Sequence, residues 1–444
     1  MKLTAEDFEL SLKIANSFCN NHNDIVYCLE EDSFYMYQEG VYKKLHLREM
    51  HNLVMNRKEY TKQMSLTGLR NVTERIATIK QRHVSDFNNH NYINFINGLF
   101  NIETGELEDH RPEIIATIRL PYSYDAYAIS PLWEKTLKEI MENDNNKVRT
   151  LQEFFGYCIT KDVKYEKALI LTGEGANGKS TILHTLEHMV GEENCSALPL
   201  KYLNDSQKIS VLVNKLVNIC GEVSKRIEDF EAEFKTIVTG EKLTVSPKYI
   251  KEYTFRPFCK LVMAINEFPY VDDRTSAFYR RLLIIELGRQ FGEQEQNKNL
   301  RAELLHQLPG IFNWAYEGLV RLRQRNTFVV DEYMRKIIES LKESNNHLIQ
   351  WSKEQVMVFP GEEIVKAEMY AKYRKWAIDN GYKPYGSAKF GADVYKIFEQ
   401  YTEKERRSSF GDRPRIWPGI AWRTMENEIR YEELANRTNV KWEE

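Results

Sequence analysis

The stretch that decides the fold is Ala168-Leu-Ile-Leu-Thr172-Gly173-Glu174-Gly175-Ala176-Asn177-Gly178-Lys179-Ser180-Thr181. Its apolar start reads as a strand buried on both faces, and Thr181–Val190 continues with helical spacing. Between them the glycines let backbone N–H groups turn inward, and the helix start adds the positive end of its dipole. Strand, loop and helix together complete the GxxxxGK[ST] phosphate loop. Gly173, Glu174, Gly175, Ala176, Asn177, Gly178, Lys179, Ser180 and Thr181 form the nucleotide cradle. Lys179 supplies charge to the β- and γ-phosphates, and the Ser180 hydroxyl is a magnesium ligand. Two other motifs overlap this one. Gly173-x-Gly175-x-x-Gly178 spells the dinucleotide fingerprint, with Glu192 at the right distance. That acid, however, follows the helix through Gly191 instead of ending a second strand, and Lys179-Ser180 is left without a role. His184-Thr-Leu-Glu187-His188 spells a zinc-protease pattern. Ile182, Leu183, Leu186, Met189 and Val190 take one face of the helix, so the histidines fall on the opposite, solvated face.

Downstream, Leu216–Cys220, Leu261–Ile265 and Leu282–Glu286 are further short apolar strands alternating with helical segments, which makes the middle of the chain an α/β unit. ATP hydrolysis needs an acid to hold magnesium or polarise water, and Glu222 closes the run from Lys215. Asn266 closes the next strand. It suits a hydrogen bond to a γ-phosphate or lytic water as well as a turn cap before Pro269. Arg280-Arg281 precede the last strand, as a solvated pair or as a charge offered to a neighbour's γ-phosphate. In 242–253, Lys248 and Lys251 interleave with Tyr249 and Tyr253 around a Ser246-Pro247 tip. Such a set can grip phosphates and pack on sugars or bases without reading sequence.

The flanks divide the chain into 1–130, an α+β region, 131–325, and 326–444. The first region has a helix over 2–22, a hairpin of Phe34–Tyr37 and Val41–Lys44 about Gln38-Glu39-Gly40, a polar helical stretch over 46–84 and a β patch from Tyr92 to Arg119. In the last region, Tyr370, Tyr373, Trp376 and Ala377 share a helix face, and Gly381, Pro384 and Gly386 break it before a second helix from Ser387. That is the pattern of a helix-turn-helix or winged-helix unit. Across 444 residues, 62 Lys+Arg oppose 65 Asp+Glu, which excludes a wholly basic nucleic-acid coat and requires any such site to be local. Lys372–Arg423 has that local excess, 12 Lys/Arg against 6 Asp/Glu, with Arg406, Arg407, Arg413 and Arg415 near Trp417. It suits duplex DNA, a solvated face or an inter-subunit contact. No apolar run reaches membrane-span length, and Glu6, Asp7 and Glu9 leave no signal-peptide core, so a soluble protein of the host cytoplasm is expected. The six scattered cysteines read as reduced, buried thiols.

With these elements in this order, the chain resembles the superfamily-three helicases, a branch of the AAA+ ATPases, and more narrowly the phage, plasmid and poxvirus-type primase-helicase group. The resemblance rests on Gly173–Thr181, Asn218-Ile-Cys-Gly-Glu222, Phe234 through Lys248-Tyr249, Ala264-Ile-Asn266-Glu-Phe-Pro269 and Asp273 through Arg281. It extends to Tyr92–Leu107, Leu120–Asp125 and the Tyr370–Gly391 tail. The chain departs from the group where Gly221 fills the slot of a second acid, where Glu241 replaces an Asp, and in having no Asp-x-Asp pair for primer synthesis in its N-terminal region. The resemblance implies an AAA+ P-loop core with a C-terminal winged-helix-like domain, and an ATP- and magnesium-dependent homo-hexameric ring. In it Lys179, Ser180, Glu222 and Asn266 face Arg280 and Arg281 of the next subunit. It further implies a pore hairpin carrying Lys248, Tyr249 and Lys251, 3′ to 5′ movement on single-stranded or forked DNA, and a primase or other replication partner. An origin-binding initiator whose ATPase drives assembly, and a P-loop ATPase acting on protein or RNA, are the other readings.

Overall fold

Five apolar runs lie side by side as one parallel sheet: β1 (Ala168–Thr172), β2 (Cys195–Ser196), β3 (Val217–Cys220), β4 (Lys260–Ile265) and β5 (Leu282–Glu286), in the order β5-β1-β4-β3-β2. In this computed structural model, residues 5–56, 65–221, 230–266, 268, 276–344, 346–399, 406–407 and 415–438 are described. β1 and β4 are buried at every position, as a sheet covered on both faces requires. The short β2 was not expected from the sequence, because two residues carry no periodicity. It is held by Asn218 of β3, a buried amide whose Oδ1 accepts from Ser196 Oγ (2.9 Å) and Leu198 N (2.7 Å).

Three helices fix this sheet in place: α1 (Asn145–Cys158), α2 (Lys179–Val190) and α3 (Leu308–Arg325). α1 and α3 meet closely because Gly156 lies against the Ala315 carbonyl and Gly318 against that of Gln152, leaving no room for a Cβ. The Glu153 carboxylate, only 2% exposed, is neutralised from α3 by Arg321 (2.9 Å) and Arg325.

The amino-terminal part holds a sheet in the order Val41–Leu45, Ser33–Gln38, Ile25–Cys28, Gln81–Arg82. Helices Ala5–Asn21, Leu47–Met55 and Leu66–Ile79 contribute Ile14, Phe18, Met50, Val72 and Ile76 to the core on it. The expected β patch is shorter than its sequence range: Tyr92–Phe95, Gly98–Asn101 and Leu107–Glu108 pair antiparallel, and 109–130 runs on without further strands. That patch packs onto the part built on the parallel sheet. Phe95 meets Phe312 edge-on with centroids 4.7 Å apart, and Tyr122 donates to the Met189 carbonyl (2.7 Å). The chain therefore separates into two units, Met1–Met334 and Arg335–Glu444, and position 130 lies inside the first.

The second unit has the order helix His347–Gln355, strand Val356–Val365, helices Lys366–Asp379 and Ser387–Ile397, and strands Arg406–Arg407 and Arg415–Trp422, closing on helix Met425–Thr438. The three strands form an antiparallel sheet with Arg415–Trp422 in the middle. Trp351, Tyr373, Phe390 and Trp417 fill its core.

Candidate nucleotide site

All five strands of a parallel sheet point the same way, and ligands of such sheets bind beyond the carboxyl ends. Thr172 of β1 pairs with Ile265 of β4 on one side and Glu286 of β5 on the other. The phosphate loop, Asn266 and the segment after Glu286 therefore emerge together at one edge.

The loop needs left-handed backbone at Ala176 (φ 57°) and Gly178 (φ 90°), and Gly173 at φ 141° leaves no space for a side chain against the Leu287 carbonyl. A Cβ on Gly178 would stand 2.5 Å from Ile140 Cδ1. Glu174, Gly175, Ala176 and Ser180 are exposed, whereas Asn177 is buried and donates to the Leu287 carbonyl (3.3 Å). Segment 287–291 straps the loop further. Phe291 N donates to Ala176 O (2.8 Å), and the Gln290 amide to the Glu174 carboxylate (2.7 Å). These strap contacts were not read from the sequence, since nothing local to Gln290 or Phe291 marks a partner more than a hundred residues away.

Lys179 opens α2 and curls back over its own loop. Its Nζ donates to the carbonyls of Gly173 and Glu174 (3.0 Å to the latter) and to Asn177 Oδ1 (3.2 Å). Partial burial pulls its pKa below the usual lysine range. The ammonium is thus held by oxygens of its own loop. Asn266 follows β4 directly and is exposed at the same edge. Glu222 lies outside the described residues; β3 ends two residues before it, on the far side of β4 from the loop.

Arg280 and Arg281 are not equivalent. Arg281 is 6% exposed; its guanidinium donates to the Glu166 carboxylate (3.0 Å) and the Ala277 carbonyl (2.6 Å). The expectation that both arginines are offered to a neighbour is corrected here: Arg281 is spent inside the fold. Arg280 keeps a largely exposed side chain, 3.9 Å from the same Glu166 oxygen. Both precede β5, at the opposite edge of the sheet from their own phosphate loop.

The hairpin Leu243–Val245/Tyr253–Phe255 pairs antiparallel, with Phe255 buried at its base and Val245 buried below the turn. Lys248, Tyr249 and Lys251 lie at its exposed tip, Tyr249 with φ 66°. His188 bonds to the His184 carbonyl (2.9 Å) and pairs with Glu192 (2.8 Å), and among the described residues no group of three or more His, Cys, Asp or Glu could hold a metal. Arg415 is exposed, and Arg413 lies outside the described residues.

Three family models match the chain in series: "D5 N terminal like" over residues 22–142, a family of unknown function (DUF5906) over 171–281, and "Poxvirus D5 protein-like" over 343–422. Among curated proteins, "Putative helicase L207/L206" of Acanthamoeba polyphaga mimivirus is 24% identical over 290 residues, covering 61% of this chain and 30% of that protein. The "DNA Primase-polymerase" of Nitratiruptor phage NrS-1 is 29% identical over 178 residues, covering 39% and 24%. This chain thus spans under a third of the length of either relative. Two apo structures of the NrS-1 C-terminal region share the fold at TM-score 0.53. They cover 92% and 93% of this chain and 99% of theirs, at 14% and 13% identity. The poxvirus-type resemblance is borne out: the chain carries the D5 N-terminal-like, central and poxvirus D5-like segments in order.

Proposed function

We propose that this D5-type chain is an ATP-driven replicative DNA helicase of a phage, virus or mobile element, with a AAA+ core that works as a ring. The observation that carries this reading is the placement of groups on the sheet. The phosphate loop and Asn266 share one edge, while Arg280 stands at the other. β5 separates them by five residues, roughly 17 Å of strand. Arg280 cannot reach its own nucleotide, and a head-to-tail neighbour would bring it to the next one.

In this reading Lys179 exchanges its loop carbonyls for the β- and γ-phosphates, and Asn266 orients the γ-phosphate or the attacking water. Arg280 of the adjacent copy meets the charge that develops on the transferred phosphoryl group. The residues suit Mg2+: Ser180 offers an exposed hydroxyl at the start of α2, Glu222 a carboxylate, and both are hard oxygen donors. Held by Ser180 and Glu222, such an ion would supply positive charge against the phosphates. The hairpin tip carries the work: Lys248 and Lys251 on phosphates, Tyr249 against sugar or base. In the second unit, Arg415–Trp422 and its neighbours supply a winged-helix-like module for duplex DNA. Polarity is taken as 3′ to 5′ from the resemblance.

The test is strand displacement on forked DNA with ATP, together with a mass measurement with and without nucleotide. ATP-dependent displacement by a ring, without sequence preference, favours the helicase over the other readings. A sequence-specific footprint without displacement makes the chain an origin-binding initiator, and ATPase activity indifferent to DNA points to protein or RNA.

A further inference from the structure

The first residues of β1 and β5 are locked together by more than sheet pairing. Ala168 N donates to the Arg281 carbonyl (2.8 Å). Lys167 Nζ donates to the Arg280 carbonyl. Glu166, held in left-handed backbone at φ 50°, takes the Arg281 guanidinium at 3.0 Å on the oxygen that lies 3.9 Å from Arg280 Nη2. Every bond in this cluster fixes either the backbone at 280–281 or the side chain of Arg281. None of them takes up the Arg280 guanidinium at hydrogen-bond distance. An exposed arginine ordinarily samples many rotamers, and each lost on docking weakens the contact. Anchoring its carbonyl and its neighbour, with a carboxylate just beyond bonding range, restricts where the guanidinium points without consuming it.

We propose that Glu166, Lys167 and Arg281 are positioning residues for Arg280, a mount that aims this single arginine at the nucleotide of an adjacent copy. The proposal rests on the shared-site reading above and deepens it. Glu166 serves twice. It pins Arg281 permanently, and it gives Arg280 a parking place from which a phosphoryl group of higher charge draws it away. A phosphate wins that exchange because the 3.9 Å pair is solvent-exposed and weak.

Mixed assemblies of full-length chains test it. Lys179→Ala subunits lack a working phosphate loop but keep the mount; Glu166→Gln subunits keep the loop but lose the mount. Glu166→Gln alone is expected to lower kcat for ATP about tenfold or more with KM unchanged. Mixing it with Lys179→Ala should restore turnover above either parent, as should Arg280→Ala mixed with Lys179→Ala. Lys167→Met serves as a second mount variant should Glu166→Gln melt early. Rescue of Arg280→Ala but of neither mount variant would overturn the mount and leave the shared site standing. Full activity of both mount variants alone would do the same. Failure of the Arg280→Ala rescue at every ratio would remove the shared site, and the mount with it.

Discussion

At the scale of single residues, adjacency in sequence hides opposite roles. Arg280 and Arg281 are indistinguishable as letters, yet one backbone step turns the first outward and the second into the fold. Arg281→Ala should therefore act on stability, lowering it by about 1–3 kcal/mol through loss of a hydrogen-bonded ion pair and its buried stem, as read from urea denaturation. Lys179 was legible because its chemistry is local to a loop of fixed spacing. Lys179→Ala should abolish ATP turnover, measured as phosphate release; undiminished turnover would refute the phosphate-loop assignment. Lys260 was not legible as special. It heads β4 with its Nζ fully enclosed, bonded to the carbonyls of Thr160 and Phe258 (3.0 Å to the latter), and burial lowers its pKa to about 8. A basic group with a pKa lowered on folding opposes folding while both states hold the proton. Between about 8 and the ordinary value near 10.4, the unfolded chain binds more protons, so stability should rise with pH by up to about 1.4 kcal/mol per unit. Comparing wild type with Lys260→Met at pH 7 through 10 isolates that slope; parallel curves would contradict it.

At the scale of elements, the sequence announced what is periodic and missed what is paired. β1, β3, β4 and β5 stood out as unbroken apolar runs. β2 did not, since its two residues are held by the side chain of Asn218 and not by their own pattern. The hairpin was legible only through the resemblance of Phe234 through Tyr249 to a family motif, and the exposure of its tip fits a grip on a nucleic-acid strand. Lys248→Ala should weaken single-strand binding severalfold and leave ATP hydrolysis running without unwinding, followed by fluorescence anisotropy and gel displacement side by side. The crossing of α1 and α3 depends on one buried carboxylate facing two arginines. Glu153→Ala, which strands Arg321 and Arg325 without their acid, should destabilise the first unit by about 2–4 kcal/mol, seen as a lowered denaturation midpoint.

At the scale of the whole chain, length permits two to four domains, and boundaries expected at 130 and 325 follow changes of pattern. Compactness follows burial instead. The rings of Phe95, Phe100 and Tyr124 share one aromatic cluster with Phe312 and Tyr316 of α3, so the β patch and the sheet stand on common ground. Pattern changes at 130 mark a change of secondary structure, and only tertiary contact shows that no core ends there. Arg335–Glu444 has a core of its own and should unfold cooperatively when produced alone, with a single calorimetric transition.

That common ground has an evolutionary corollary. When two relatives of this chain recombine, a crossover near residue 130 would pair one parent's aromatic donors with the other's recipients. Most hybrids of that kind would misassemble unless Phe95, Phe100 and Phe312 travelled together. In the carboxyl-terminal unit Trp351, Tyr373, Phe390 and Trp417 lie in one core of their own, so that set too would have to travel together in any such exchange.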